Sequence, residues 1–270
     1  MPQFSSVSET LYIPLLGRIY VSKYHPQILH DRAALSIEHK LPAIVGQAAG
    51  QNEYTYLASA VRSRNMDAVI RRFLAVYPGG TIVNVGCGLE TLYPRNDNGK
   101  ALWFELDLPE VLECRSSLLP EQAREHYLPY SMFDYRWIDT VKQAAQPPIL
   151  VVASGLFYYF RKDQIFDFIR HLAILGDVYL VFDAVSTAGI QATRRYMRKM
   201  NRSDAEMFFS VDCVHRFAAS ISPNVSVLKE PAFYGSLASA SGLCLATKAK
   251  MFFSDLFGMV KMIQLRIYQS

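Results

Sequence analysis

No run of about 20 apolar residues, the length a membrane-crossing helix needs, occurs in the sequence. Met251 to Tyr268 comes closest and is broken by Asp255, Lys261 and Arg266. Concentrated positive charge is missing too. The formal net charge is only +4, and no basic block exceeds Arg194-Arg195, so a nucleic-acid partner is not expected. Cysteine is scarce: Cys87, Cys114, Cys213 and Cys244 stand far apart, and no two make a CxxC pair. Neither a metal site of the zinc type nor a disulfide framework is therefore expected, and a reducing cytoplasm fits. Met1 to Ser8 is polar and lacks the basic n-region and apolar core of a secretory leader.

Apolar side chains are plentiful. Hydrophobic residues make up 51% of the 270 and charged residues 19%, enough for a large core. The length suits one large domain with insertions, or one domain with a small cap. Residues 5 to 40 read as helical with a break at His25-Pro26, and Gln27 to His39 carries helical spacing at Ile28, Leu29, Ala33 and Ile37. Residues 54 to 77 read as a long helix on the spacing of Leu57, Val61, Val69, Ile70, Phe73 and Leu74, stopped by Pro78-Gly79-Gly80. Short β-rich runs follow at Thr81 to Val85, Ala101 to Leu106, Tyr127 to Ser131, Ile149 to Ala153 and Val178 to Phe182. Helices are expected from Pro109, over Lys162 to Leu175 and over Thr187 to Met200. Val225 to Leu228 and Gly242 to Ala246 are later strand candidates. Strands alternating with helices imply a parallel sheet covered on both sides, and ligands of such sheets bind at the carboxyl ends of the strands.

The residues just after each strand therefore carry the chemistry. The first strand runs into Gly86-Cys87-Gly88-Leu89-Glu90-Thr91, whose glycines let backbone approach a ligand closely. The third glycine of a dinucleotide fingerprint is absent, since Thr91 stands there, and no GKS or GKT follows, so a phosphate cradle is disfavoured. Asp107 ends the second strand about 20 residues on, where a carboxylate can accept both hydroxyls of a ribose; Glu105 could serve instead. Arg62 and Arg64, two apart on the long helix, point to different sides, and an inward arginine can pair a ligand carboxylate in a bidentate fork. Each of these also has a plain structural reading: a tight turn, a solvated strand end, solvated helix charges.

Taken in order, these pieces resemble the leucine carboxyl methyltransferase family, in particular its branch similar to polyketide O-methyltransferases. The opening Thr10-Leu11-Tyr12-Ile13-Pro14-Leu15-Leu16-Gly17-Arg18 followed by Asp31-Arg32-Ala33-Ala34 resembles the family's start. Val61-Arg62-Ser63-Arg64 with Asp67 resembles its arginine helix. Ile82 to Thr91 with Tyr93-Pro94-Arg95 resembles its glycine motif, and Phe104 to Val111 its second-strand motif. Phe133 to Trp137 and Ser154 to Phe160 resemble its third and fourth strand exits.

The resemblance implies a Rossmann-like, class I methyltransferase α/β fold: a mostly parallel seven-stranded sheet with helices on both faces and an N-terminal helical cap. It divides one domain into a cap over residues 1–53, a cofactor-binding core over 54–185 and a variable substrate-side part over 186–270. It implies S-adenosyl-L-methionine as cofactor. Arg62 would bind its carboxylate. Gly86, Cys87, Gly88 and Glu90 would face the methionine and ribose portions, and Asp107, with Leu108 beside it, would hold the ribose hydroxyls. Ser131 and Met132 would border the adenine, Ser154 would lie near the sulfonium, and Tyr159 would line the mouth. Glu90 stands where the family usually has Asp, and Ser154 where it commonly has Glu.

Methyl transfer to an oxygen of a small molecule is the activity expected. A protein carboxyl methyltransferase and a non-catalytic binder of S-adenosylmethionine or S-adenosylhomocysteine stand as alternatives, and an oxidoreductase using NAD is disfavoured by the missing glycine. None of the six histidines sits in a motif that marks it as a base, so no catalytic residue is named. Tyr12, Tyr20, Tyr24, Tyr158, Tyr159 and Phe160 lie where an aromatic pocket lid could form. Phe252, Phe253, Leu256, Met259, Val260, Ile263 and Ile267 read as one helical stripe, packed on the domain, forming a homodimer contact, or lying on a membrane surface.

Overall fold

A computed structural model describes residues 11–41, 52–199, 207–235, 237 and 242–269. Met200, and the part of the opening motif before Leu11, lie outside them. Two helices begin the described chain, α1 (Tyr12–Tyr24) and α2 (Arg32–Ile37). The second starts later than the apolar spacing from Gln27 predicts, because Asp31 caps it by accepting from the Ala34 N–H at 2.9 Å. Next come α3 (Glu53–Val76), β1 (Thr81–Val85), α4 (Leu92–Asn96), β2 (Leu102–Asp107), α5 (Pro109–Leu118) and β3 (Glu125–Pro129). They are followed by α6 (Arg136–Ala144), β4 (Ile149–Ala153), α7 (Lys162–Leu172), β5 (Val178–Val185) and α8 (Thr187–Lys199). The last elements are α9 (Val214–Ile221), β6 (Val225–Lys229), α10 (Leu245–Leu256) and β7 (Val260–Ile267).

The strands form one seven-stranded sheet in the order β3-β2-β1-β4-β5-β7-β6. The first five are mutually parallel, and β7 is antiparallel to both its neighbours. Successive strand side chains point to opposite faces, so each buried strand feeds two cores. Val83, Val85, Val151, Ala153, Leu180 and Phe182 pack with Trp137, Phe168 and Phe217 from α6, α7 and α9. Ile82, Leu150, Val152 and Val181 pack on the other side with Leu57, Val61, Ile70 and Phe73 from α3. This two-sided burial is why β4 reads as an unbroken apolar run.

Three expectations need correction. The stripe from Met251 onward is not one helix: α10 ends at Leu256, the chain turns at Gly258 with φ +53°, and β7 enters the sheet. Apolar side chains occur at both parities of β7 because Met262 serves one core and Ile263 and Leu265 the other, and that density mimics a helical stripe. Gly242 to Ala246 is no strand but the approach to α10, where Cys244 caps the helix by accepting from the Thr247 N–H. The third strand is Glu125–Pro129, two residues earlier than the run read from Tyr127.

Candidate active site

The parallel register sets the site. Val85 pairs with Leu106 on one side and Ala153 on the other, and Ala153 pairs with Phe182. The next residue along each strand, Gly86, Asp107, Ser154 and Asp183, therefore stands at one level at the carboxyl ends. A cleft of about 460 Å³ opens there, within the range of small-molecule sites, roughly 300–1,000 Å³. Arg62, Gly86, Cys87, Gly88, Glu90, Asp107, Leu108, Ser154 and Tyr159 all line it. Ser131 and Met132 do not. The Ser131 hydroxyl accepts from the Phe133 N–H at 3.3 Å, Met132 is buried in the core, and its carbonyl accepts from the Trp137 indole at 3.1 Å.

The glycine turn is held tightly. Gly86 and Cys87 N–H groups both donate to the Leu106 carbonyl, at 2.7 and 3.2 Å. Gly86 has φ +64°, and a Cβ there would lie 2.6 Å from Leu156 Cδ1, so only glycine fits without strain. From below, the buried Arg115 donates to the carbonyls of Gly88 at 3.0 Å and Glu90 at 2.6 Å. Burial pushes the Cys87 thiol well above its usual value, which leaves it an inert wall.

Asp107 accepts from the Gly88 N–H through Oδ2 and from the Leu108 N–H through Oδ1, each at 2.8 Å. Each oxygen keeps further acceptor capacity toward the cleft. Burial raises its carboxyl pKa, against the pull of those two N–H groups. Glu105 is not its rival. It is fully buried beneath the turn, with Oε2 accepting from Asn84 at 2.6 Å.

Arg62 turns inward and Arg64 away. Arg62 Nε lies 2.7 Å from Asp183 Oδ2, a contact of charge whose alignment falls short of a hydrogen bond. Asp183 Oδ1 accepts from the Gly155 N–H at 2.7 Å. Gly155 has φ +69°, and a Cβ there would lie 2.7 Å from Arg62 Nη1, so this glycine lets the guanidinium lie over the strand exit. The Arg62 guanidinium also sits 5.8 Å from the Tyr158 ring centroid. The Tyr158 hydroxyl is buried without a partner and borders the cleft.

Glu90 borders the cleft with both oxygens taken. Oε2 accepts from Arg18 at 3.1 Å and Ser63 at 2.7 Å; Oε1 accepts from the Thr91 N–H and Arg95, each at 2.9 Å. Arg18 also donates to Asp31 at 3.0 Å, and Arg95 to Asp31 at 2.9 Å and Asp67 at 3.0 Å. The residues by which the opening, the arginine helix and the glycine motif were recognised thus meet in one buried network under the turn. Site residues that sequence reasoning left out are Arg18, Ser63, Leu156 and Asp183, while Tyr158 was read only as part of an aromatic lid. The first three stand inside quoted motifs and could have been drawn from them. Asp183 follows the apolar run Val178 to Phe182, its one signal, although β5 runs on to Val185, and its pairing with Arg62 needs the register to be seen.

A mostly parallel sheet in this order, with a glycine turn after β1, a carboxylate at the end of β2 and no phosphate cradle, defines an S-adenosylmethionine-dependent methyltransferase of class I. Residues 17–173, more than half of the chain, match the leucine carboxyl methyltransferase family, and the protein belongs to it. The tetracenomycin polyketide synthesis O-methyltransferase TcmP of Streptomyces glaucescens is 30% identical over 188 residues, 68% of this chain and 67% of that enzyme. A DUF574 family protein from Streptomyces avermitilis superposes with a TM-score of 0.61 over 94% of this chain and 97% of its own, at 13% identity. The magnesium protoporphyrin IX methyltransferase of Synechocystis PCC 6803, solved with S-adenosylhomocysteine bound, gives 0.50 over 93% and 99%, also at 13% identity. At such identities these two likenesses show the fold alone. No helix among the described residues is long and apolar enough to cross a membrane.

Proposed function

We propose that the cleft holds S-adenosylmethionine for methyl transfer to an oxygen of a small molecule, with a carboxylate as the acceptor that fits best. The observation that carries the cofactor assignment is the convergence of Arg62, the Gly86 turn and Asp107 on one cleft. Nε of Arg62 faces Asp183, which leaves its two terminal nitrogens as a fork for the cofactor carboxylate. Asp107 accepts from the ribose hydroxyls, and backbone at Gly86, Cys87 and Gly88 passes close to the ligand. Leu108 borders the nucleoside, Ser154 the sulfonium end and Tyr159 the mouth. Glu90 acts through Arg18 and Ser63, keeping the floor rigid. Ser131 and Met132 stay assigned to the adenine end on the family resemblance.

When bound, the cofactor supplies a methyl group already activated on sulfur, so the protein's task is alignment and exclusion of water. No histidine among the described residues lines the cleft. A carboxylate acceptor is already anionic and needs no base, whereas an alcohol benefits from one. Residues 1–53 would cap the site, 54–185 would bind the cofactor and 186–270 would shape the acceptor side of a single domain. The four cysteines are free thiols, which fits the cytoplasm.

A second copy of the chain is the partner we assign to α10. Its buried strip is Thr247, Met251 and Ser254, while Leu245, Phe252, Phe253, Leu256 and Phe257 are each at least half exposed. Five such side chains offer on the order of 600 Å², close to the roughly 800 Å² per partner of a standard interface.

Thermal unfolding with S-adenosylmethionine, S-adenosylhomocysteine and NAD tests the cofactor. Stabilisation by the two adenosyl ligands and none by NAD is expected; no stabilisation at saturation overturns the reading. Mass-spectrometric screening of carboxylic acids against phenols and alcohols tests the acceptor.

A further inference from the structure

Arg64, the outward arginine of the motif, is not used by the methyl-transfer site. On α3 it shares one face with Asp67 and Arg71, three and seven residues on, about 200° around the helix from Arg62. That face borders a second cleft of about 500 Å³, closed on its other sides by the segment before α2, by Arg32 and His30, and by Pro94-Arg95. No residue lining it lines the cofactor cleft.

The charges in this cleft do not balance. Asp67 is the one carboxylate among the described residues lining it, and Arg95 already engages it at 3.0 Å. Arg71 adds a 3.7 Å approach to the same acid and hydrogen bonds to Asn96 at 3.0 Å and to the Arg95 carbonyl at 3.4 Å, none of which brings it a second carboxylate. Arg32 and Arg64 make no hydrogen bond, ion pair or ring contact to any described residue, although Arg64 is half-buried. A half-sheltered guanidinium without a partner has lost part of its hydration and gained nothing in return. Three guanidiniums facing one concavity therefore raise the local potential for an anion. Guanidinium forks match phosphate oxygens bidentately, and the volume exceeds what an inorganic ion fills.

We propose that this second cleft, built by Arg32, Arg64 and Arg71, binds the phosphate group of a phosphorylated small molecule. Losing one charge-assisted fork should weaken binding by about tenfold or more. The test is isothermal titration of inorganic pyrophosphate and of glycerol 2-phosphate into the full chain at constant ionic strength. The variants are Arg64→Gln, Arg64→Gln with Arg71→Gln, and Arg62→Ala. The expected result is saturable one-to-one binding in the parent chain, weakened by Arg64→Gln, abolished in the double variant and unchanged in Arg62→Ala. Because Arg64 has no partner to strand, Arg64→Gln should fold with unchanged stability to urea. Absence of saturable binding at millimolar probe, or an equal response to chloride, overturns the proposal. So does binding that Arg62→Ala removes and the Arg64 variants leave intact, since the phosphate would then sit in the cofactor cleft. The readout needs no turnover, so its failure is distinguishable from failure of the methyl-transfer reading.

Discussion

Replacing Glu105 by glutamine should stabilise the protein increasingly as pH rises. Glu105 is fully buried on β2 beside Asn84. Its Oε2 accepts from Asn84 at 2.6 Å, its Oε1 has no partner, and Arg115 stands 3.7 Å off while engaging Glu125 at 3.1 Å. Burial pushes its carboxyl up, Arg115 opposes this in part, Glu125 adds to it, and the group titrates at about 8 in place of 4.5. Below 4.5 the folded and unfolded chains both hold the proton. Between 4.5 and about 8 only the folded chain holds it, so this group's contribution to stability falls as pH rises, by up to about 1.36 kcal/mol per pH unit. Multiplying that slope by the interval, about 3.5 pH units, gives about 5 kcal/mol as an upper bound. Glutamine keeps the shape and the oxygen that faces Asn84, and it does not titrate. Urea unfolding of both proteins at pH 5, 6, 7 and 8 measures the difference. The variant should gain several kcal/mol relative to the parent across that range. A flat difference, or a variant that loses ground toward pH 8, would mean that Glu105 is ionised against Arg115 throughout and refute the reasoning.

Arg62→Ala should cost about 1.5–3 kcal/mol of S-adenosylhomocysteine affinity. In thermal unfolding at about 100 times the parent Kd, the parent gains about 2.7 kcal/mol and the variant under half of that. Gly86→Ala should lose about 1–2 kcal/mol of stability from its positive φ and weaken the same ligand by pushing Leu156 into the cleft; urea unfolding and ligand titration read the two effects. Glu90→Gln has the opposite pH signature to Glu105→Gln. Burial alone would raise the Glu90 carboxyl, but Arg18 and Arg95 overcome it and hold the group well below its usual range. Its stabilisation is therefore full above 4.5 and fades as pH falls below, so parent and variant should converge in urea unfolding between pH 5 and pH 3. On the proposed α10 contact the parent should sediment as a dimer and Phe253→Asp as a folded monomer; equal sedimentation of the two chains refutes that contact.

The cofactor cleft was largely legible because its residues follow β-rich runs at strand exits. Gly86 and Asp107 needed only the order of elements and the rule that ligands bind at carboxyl ends, whereas Arg62, on a helix, and Ser154 were drawn from the family resemblance. Asp183 was not singled out, because its position after the run Val178 to Phe182 gains meaning only once it is known which strand lies beside which. Glu90 was read as a ligand contact, but its neighbours Arg18 and Arg95 come from distant segments and occupy both its oxygens. The third strand slipped by two residues because Glu125 to Pro129 shows little alternation at the sheet edge. The C-terminal region misled because β7 is apolar on both faces, and only the short turn Phe257-Gly258-Met259 separates it from a helix that turns its larger apolar side chains outward.

That last strand has a bearing on how the protein is made. Among the described residues, β7 follows every other strand in the chain yet lies between β5 and β6, and β6 has no other strand neighbour. The five parallel strands can assemble in the order they leave the ribosome, as domains generally do. The flank of β5 facing β7 stays open until Ile267 has emerged, and β6 waits with it. An open strand flank is a template for pairing with another chain. The interval in which the nascent protein is most vulnerable to aggregation therefore runs until β7 has been made, after the five parallel strands are in place.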